Sequence, residues 1–239
     1  MKERTSAGIV IETLAVAFAG GALGLALGSL IGAAGLLGVL AAANGAITGR
    51  TGVYDWRRLN GWVAFVADST WALIGTAIAL VLHIAQLFYR SPRYRFDLSL
   101  RANLHIYEGG FSMKPAYAFS TGNVVSNAGG NTGLDGDRGK RRWTFIQNHE
   151  FLHVFQNRVF GPAFQLAYVG WMLVGLLWGL VAWARYRRGL GRLIETAAYF
   201  NNPFEYWAYR RDDYWPPKDA DARIVWGARR VARSPGRKV

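Results

Sequence analysis

The chain alternates between long uncharged apolar runs and short segments in which charged residues are concentrated. Residues 8–48 contain a single charged side chain, Glu12. A helix of about forty residues would be ~60 Å long, about twice the hydrocarbon thickness of a bilayer. The pattern therefore predicts two membrane crossings here, with a turn near Gly28–Ser29. Residues 71–89 and 163–184 are two further apolar stretches of about spanning length.

Glycines recur every four residues at positions 20, 24, 28 and 32 of the first apolar run. Small residues along one helix face let two backbones approach closely in lipid. This spacing fits a glycine zipper that forms a homo-oligomer, or tight packing inside one chain, and we favour the second. Just before the apolar run 71–89, Asp68–Thr70 predicts a helix start, and His83 within that run has either a functional or a packing role.

After residue 90 the pattern becomes that of a small mixed domain. Alternation at Phe96, Leu98 and Leu100 predicts a strand. We further predict a hairpin turn at 107–111, a strand over 116–125, a Gly-rich loop over 127–140 and a helix over 141–160, which Gly161–Pro162 ends. The predicted fold is mainly α: a multi-pass helical membrane protein with a small α+β subdomain.

Three parts follow from these patterns: glycine-rich transmembrane helices (1–90), a subdomain that includes the apolar helix 163–184 (91–215), and a basic tail (216–239). The net charge of +13 could suggest nucleic-acid binding. The basic residues flank apolar runs, however, which favours contact with anionic lipid and no nucleic-acid partner. The absence of cysteine excludes disulfides and thiolate metal sites.

The segment His149-Glu150-Phe151-Leu152-His153 contains the HExxH pattern and half of the four histidines in the chain. On a helix, positions i and i+4 share a face, so His149 and His153 can bind one cation. Glu150 can then act as general base toward a metal-bound water that attacks a carbonyl. Zinc suits such a site because it accepts nitrogen and oxygen ligands.

A third protein ligand is expected downstream, and the candidates are Glu195, Glu205, Asp212 and Asp213. Asn201–Pro203 can open a helix, which would place Glu205 in its first turn. We therefore favour Glu205 over Glu195.

The segment HEFLHVFQNRVFGPAFQLAY, followed by NPFEYWAY, resembles the HExxH metallopeptidases of the gluzincin type. More narrowly, it is similar to a group of bacterial membrane proteins that read HExxHVxQ, GPxF and NPFExxA. The resemblance covers residues 107–215 and implies a zincin-like subdomain. It implies zinc ligands His149, His153 and Glu205, with Glu150 as base. Many gluzincins carry an Asp shortly after the Glu ligand, whereas this chain has Tyr209.

The same resemblance implies a strand before the histidine helix that pairs with the substrate backbone, here Gly122, Asn123, Val124 and Val125. Tyr206 or Tyr209 could donate to an oxyanion or support a ligand. The expected function is that of a zinc-dependent peptidase in the cell membrane, acting on a peptide or a membrane protein. The alternatives are a non-enzymatic membrane scaffold with a structural or vestigial metal site, and a hydrolase of lipid or envelope amides.

One conflict lies in the apolar stretch 163–184. A straight crossing there would carry Glu205 to the face opposite His149, and residues 190–204 are a poor spanning helix. Either the stretch lies in the interface or re-enters, or the metal site lies at membrane depth in a protein-lined cavity, or Glu205 is not the ligand. We prefer a site at or just below the membrane surface.

Overall fold

The computed structural model describes residues 4–89, 93–114 and 116–227, which are mainly helical with one small three-stranded sheet. Residues 228–239 of the predicted basic tail lie outside the described residues. The chain divides into two compact units, with the boundary between Phe164 and Gln165.

The first unit begins with a helical hairpin, α1 (Ser6–Leu30) and α2 (Ala34–Thr51). The turn occupies residues 31–33, slightly later than predicted. Gly20 and Gly24 of α1 are buried against the backbone of α2, where an added Cβ would collide with Ala41 or Leu37. The glycine pattern therefore serves close packing within the chain, while a homo-oligomer stays a prediction.

The next apolar segment is broken into α3 (Leu59–Ser69) and α4 (Leu73–Gln86), which are bent by 88°. The stretch predicted over 71–89 forms a shorter helix than expected, and whether it spans stays a prediction. The 14 residues of α4 extend only ~21 Å, which is shorter than the hydrocarbon layer. Asp68–Thr70 ends a helix instead of starting one.

The predicted strand at Phe96, Leu98 and Leu100 is wrong, because these residues lie in a helix, α5 (Phe96–Ala102). Leu98 and Ala102, four residues apart, pack on the core of the first unit. A helical face with that spacing explains why the short alternation was misleading.

The sheet has the order β1-β3-β2, and its strands are β1 (His105–Ile106), β2 (Phe119–Thr121) and β3 (Val124–Ser126). β1 runs parallel to β3, so the hairpin predicted at 107–111 is wrong. The strand predicted over 116–125 is instead the β2–β3 hairpin, whose strands pair antiparallel. Gly122 turns this hairpin with a positive φ of 53°.

The predicted helix over 141–160 consists of two helices, α6 (Gly136–Asn148) and α7 (Glu150–Phe160), which meet at His149. Gly161 ends α7 as predicted, and α6 begins inside the predicted loop. Ile146 of α6 and Val154 of α7 pack with β-sheet residues Ile106 and Val125 in one apolar core. That core fixes the histidine helix against the sheet.

His83 of α4 faces the sheet. Its ring packs edge-on against His105 of β1, with 4.5 Å between ring centroids, and its Nδ1 lies 2.7 Å from the Tyr107 hydroxyl.

In the second unit the chain returns along a long apolar helix, α8 (Pro162–Tyr186). The return comprises α9 (Leu190–Glu195), a π-helix (Thr196–Phe200) and α10 (Pro203–Arg211). Ile194 lies against Gly179, and Ala198 lies against Gly175, where glycine leaves room for the returning backbone. The returning segment therefore runs antiparallel to α8.

Helices α1 and α8 are each 25 residues long and apolar enough to cross a bilayer. The bent pair α3–α4 would add a third, broken span. Large apolar side chains of α1 and α8 are exposed, as expected for lipid-facing surfaces: Ile11, Leu14, Phe18, Leu173, Leu177 and Val181.

The contact between α1 and α2 yields a stability prediction. In Gly24→Ala, the added methyl carbon would lie 2.7 Å from the Ala41 Cβ, and such overpacking costs about 1–3 kcal/mol. We expect a lower midpoint of thermal unfolding in detergent. Gly35→Ala is the matched control, because a Cβ at this helical position meets nothing within 4 Å. Equal midpoints for the two variants would contradict the packing role.

Candidate metal centre

His149 lies where α6 meets α7, and His153 lies in the first turn and a half of α7. Their rings are 5.1 Å apart, measured between centroids, at an interplanar angle of 78°. Phe145, one turn earlier, stacks on the His149 ring at 5.2 Å. Both histidines are buried, and the spacing of four residues brings them together as predicted.

Gln156 fixes the orientation of His153. Its Oε1 lies 2.8 Å from His153 Nδ1, and the Gln156 side chain is fully buried. Because an amide oxygen only accepts, this bond places the proton on Nδ1, which leaves the lone pair on Nε2 for a metal. Sequence reasoning missed this residue, although Gln156 follows His153 by three positions in the HVxQ motif.

Glu150 is 6% exposed and opens α7. Its Oε2 accepts a hydrogen bond of 2.7 Å from the Ser120 hydroxyl on β2. Burial lowers the pKa of Arg142, and attraction to the Glu150 carboxylate counteracts part of this effect. The Glu150 carboxylate therefore has a hydroxyl donor and a nearby cation. Nothing in the sequence pattern indicated that Ser120 would contact Glu150.

Glu205 lies in the first turn of α10, as predicted from Asn202 and Pro203. The Asn202 side chain caps this helix by accepting from the Phe204 N–H. Tyr168 of α8 donates a hydrogen bond of 2.8 Å to Glu205 Oε1. Tyr168 lies near the start of α8, about 27 Å of helix before the end of α8. Because the returning segment runs antiparallel to α8, it brings Glu205 back beside the first turns of that helix.

The ligand atoms of His149, His153 and Glu205 all lie within 4.8 Å of one another. Glu205 and His149 are each 3% exposed, and His153 is 8% exposed. Two imidazole nitrogens and one carboxylate oxygen form a donor set that fits a transition-metal ion. These residues could hold a metal ion.

Within the described part of the chain, this group includes Glu205 and none of the other three candidate acids. Glu195 ends α9, and Asp212 caps the C-terminus of α10. Tyr206 packs against Trp215 and Trp226 and accepts a hydrogen bond from Arg210, while Tyr209 packs against Phe200. The Tyr168 hydroxyl, which sequence reasoning did not select, is bonded to Glu205, and the roles predicted for Tyr206 and Tyr209 stay predictions.

The substrate-pairing role predicted for residues 122–125 does not fit the sheet. Val124 and Val125 lie on the central strand, which is paired on both sides and fully buried. Gly122 forms the turn, and the Asn123 carbonyl accepts from the His105 N–H. The sheet edge beside α7 belongs to β2 instead.

A buried ion pair anchors the other end of the histidine helix. Arg158 of α7 donates two hydrogen bonds, of 2.9 and 2.7 Å, to the Asp68 carboxylate at the end of α3. Tyr54 donates a third, of 2.8 Å, to the fully buried Asp68. Desolvation opposes the charge on Arg158, but Asp68 outweighs it and raises the pKa of Arg158 above its ordinary value.

Comparison of the chain with protein-family models, curated proteins and solved structures yields no match.

The bond between Tyr168 and Glu205 yields a prediction about metal affinity. Tyr168→Phe removes the donor that orients the carboxylate, and loss of such a supporting bond typically weakens metal binding by about 10- to 100-fold. The check is zinc affinity by chelator competition on protein purified in detergent. Tyr206→Phe is the matched control, since its hydroxyl bonds Arg210 instead. Unchanged affinity in Tyr168→Phe would exclude this supporting role.

Proposed function

We propose that the chain is a multi-pass protein of the cell membrane that hydrolyses peptide bonds with a zinc ion held by His149, His153 and Glu205. The observation that carries the proposal is the convergence of these three ligand atoms within 4.8 Å, with Glu150 directly beside His149. Zinc suits two nitrogens and one oxygen, whereas calcium and magnesium prefer oxygen ligands alone.

The proposed chemistry divides between the ion and the side chains. A zinc ion bound here would polarise a carbonyl and lower the pKa of a coordinated water to about 7. Glu150 accepts the proton that the attacking water loses and delivers it to the amide nitrogen as the C–N bond breaks. Burial of Glu150 limits competing bulk water around this transfer.

The edge strand β2 supports a peptide as substrate. Among the described residues it pairs only with β3 in the sheet, and it packs beside α7. An extended peptide can pair with such an edge through its backbone, which places a scissile carbonyl near the base without requiring a particular side chain. A lipid amide offers no comparable strand, and this favours the peptidase over the lipid hydrolase.

A membrane-proximal substrate is supported by the order of elements along the chain. His153 precedes the first residue of α8 by nine positions. Because α8 is long and apolar enough to cross a bilayer, its first turn would lie at the membrane boundary. We therefore propose extended segments of membrane proteins next to the bilayer as substrates.

The test uses Glu150→Gln in full-length protein purified in detergent. Wild type should contain about one zinc per chain and cleave a quenched fluorescent peptide library. The variant should keep the zinc and lose about 10²–10⁴-fold in rate, because the amide cannot accept the proton. Metal is measured by mass spectrometry and cleavage by fluorescence.

Glu195→Gln is the control, since it removes one of the candidate acids outside the His149, His153 and Glu205 group. It should behave as wild type in both measurements. Folded wild-type protein that holds no zinc, or a Glu150→Gln variant that cleaves at the wild-type rate, would overturn the proposal.

A further inference from the structure

Strand β2 and the helix that begins at Glu150 are joined by one short side-chain hydrogen bond, from Ser120 Oγ to Glu150 Oε2 at 2.7 Å. We infer that Ser120 is a positioning residue that holds the Glu150 carboxylate ready for proton transfer. This inference rests on the proposed function and adds a residue that neither the HExxH pattern nor the ligand set contains.

The position of Ser120 is fixed by strand pairing. Ser120 is the middle residue of β2 and pairs with Val125 of β3, which is fully buried. Phe119, its neighbour on the opposite face, packs on Phe111 with 5.4 Å between ring centroids. Because side chains alternate across a strand, anchoring Phe119 on one face directs Ser120 to the other, where α7 packs.

A carboxylate needs such a constraint because its terminal torsion is broad and roughly two-fold. With Oε2 bonded to Ser120, the carboxylate plane is set and Oε1 can face the attacking water. A serine hydroxyl also donates to the charged form of the acid, which is the form that acts as base. The same strand offers its backbone edge to a peptide, so one element would orient both the base and the substrate.

A merely structural role for Ser120 makes a different prediction. If the hydroxyl only satisfied a partly buried polar position, its removal would lower stability or metal content, and the rate would fall in proportion. A positioning role requires kcat to fall while KM, zinc content and thermal midpoint stay unchanged. Loss of a supporting contact of this kind typically lowers activity by about 10- to 100-fold.

The matched pair is Ser120→Thr and Ser120→Val, which have nearly the same shape and suit a strand but differ in the hydroxyl. In full-length protein loaded with zinc, Ser120→Thr should keep kcat within a few-fold of wild type. Ser120→Val should lose about 10- to 100-fold in kcat with KM unchanged. Thr144→Val, at an exposed hydroxyl on α6, is the control for hydroxyl loss elsewhere.

Ser120→Ala serves as a second variant if the valine protein does not fold, and the same loss in kcat is expected. Equal kcat for Ser120→Val and Ser120→Thr, or a loss that follows zinc content, would overturn the positioning role while leaving the peptidase intact. Wild-type protein that binds zinc but cleaves no peptide would instead overturn the proposed function, and this inference with it.

Discussion

The buried ion pair between Asp68 and Arg158 holds the histidine-bearing helix in place, and the geometry of the first unit depends on it. Asp68 is fully buried, so its charge is tolerated only because Arg158 and Tyr54 donate to it. Removing one partner of such a pair typically costs about 3–5 kcal/mol, since the other charge remains buried. The pair lies one and a half turns beyond His153, which fixes how α7 meets the sheet.

The small sheet is important because it supports the same helix that this ion pair anchors. A three-stranded sheet with such short strands contributes little stability by itself. Its central strand packs into the same core as Ile146 and Val154, and its edge strand carries Ser120 to the Glu150 carboxylate. The ion pair at one end of α7 and the sheet along its side therefore both constrain the helix that carries His153.

In the second unit, the chain has to bring the Glu205 carboxylate back along the apolar helix α8. Glycines at 175 and 179 leave space for the returning chain. The irregular backbone of the return finds partners inside the unit, since Trp171 donates to the Ala197 carbonyl and the Asn201 N–H donates to the Thr196 carbonyl. Non-helical backbone is tolerated beside lipid only when protein groups satisfy it in this way. The return brings Glu205 beside Tyr168, near the start of α8.

Local patterns determined much of the site. The HExxH spacing predicted that His149 and His153 share a face, and Asn202–Pro203 predicted the helix start that carries Glu205. Both depend on the geometry of one helical turn, which a few neighbouring residues set. Long apolar runs likewise predicted the hairpin of α1 and α2 and the length of α8, because burial of uncharged segments follows from composition.

Only the tertiary structure decided the partners that lie far apart in the chain. Gln156 fits the local motif, but Ser120, Tyr168 and Asp68 acquire their roles through strand pairing, the return along α8 and a bend of 88°. The short strands and α5 could likewise not be predicted from a local pattern, because alternation over five residues suits a helix face as well as a strand. Periodicity shows which side of a helix or strand is apolar. Which other helix or strand covers that side depends on packing across the whole chain.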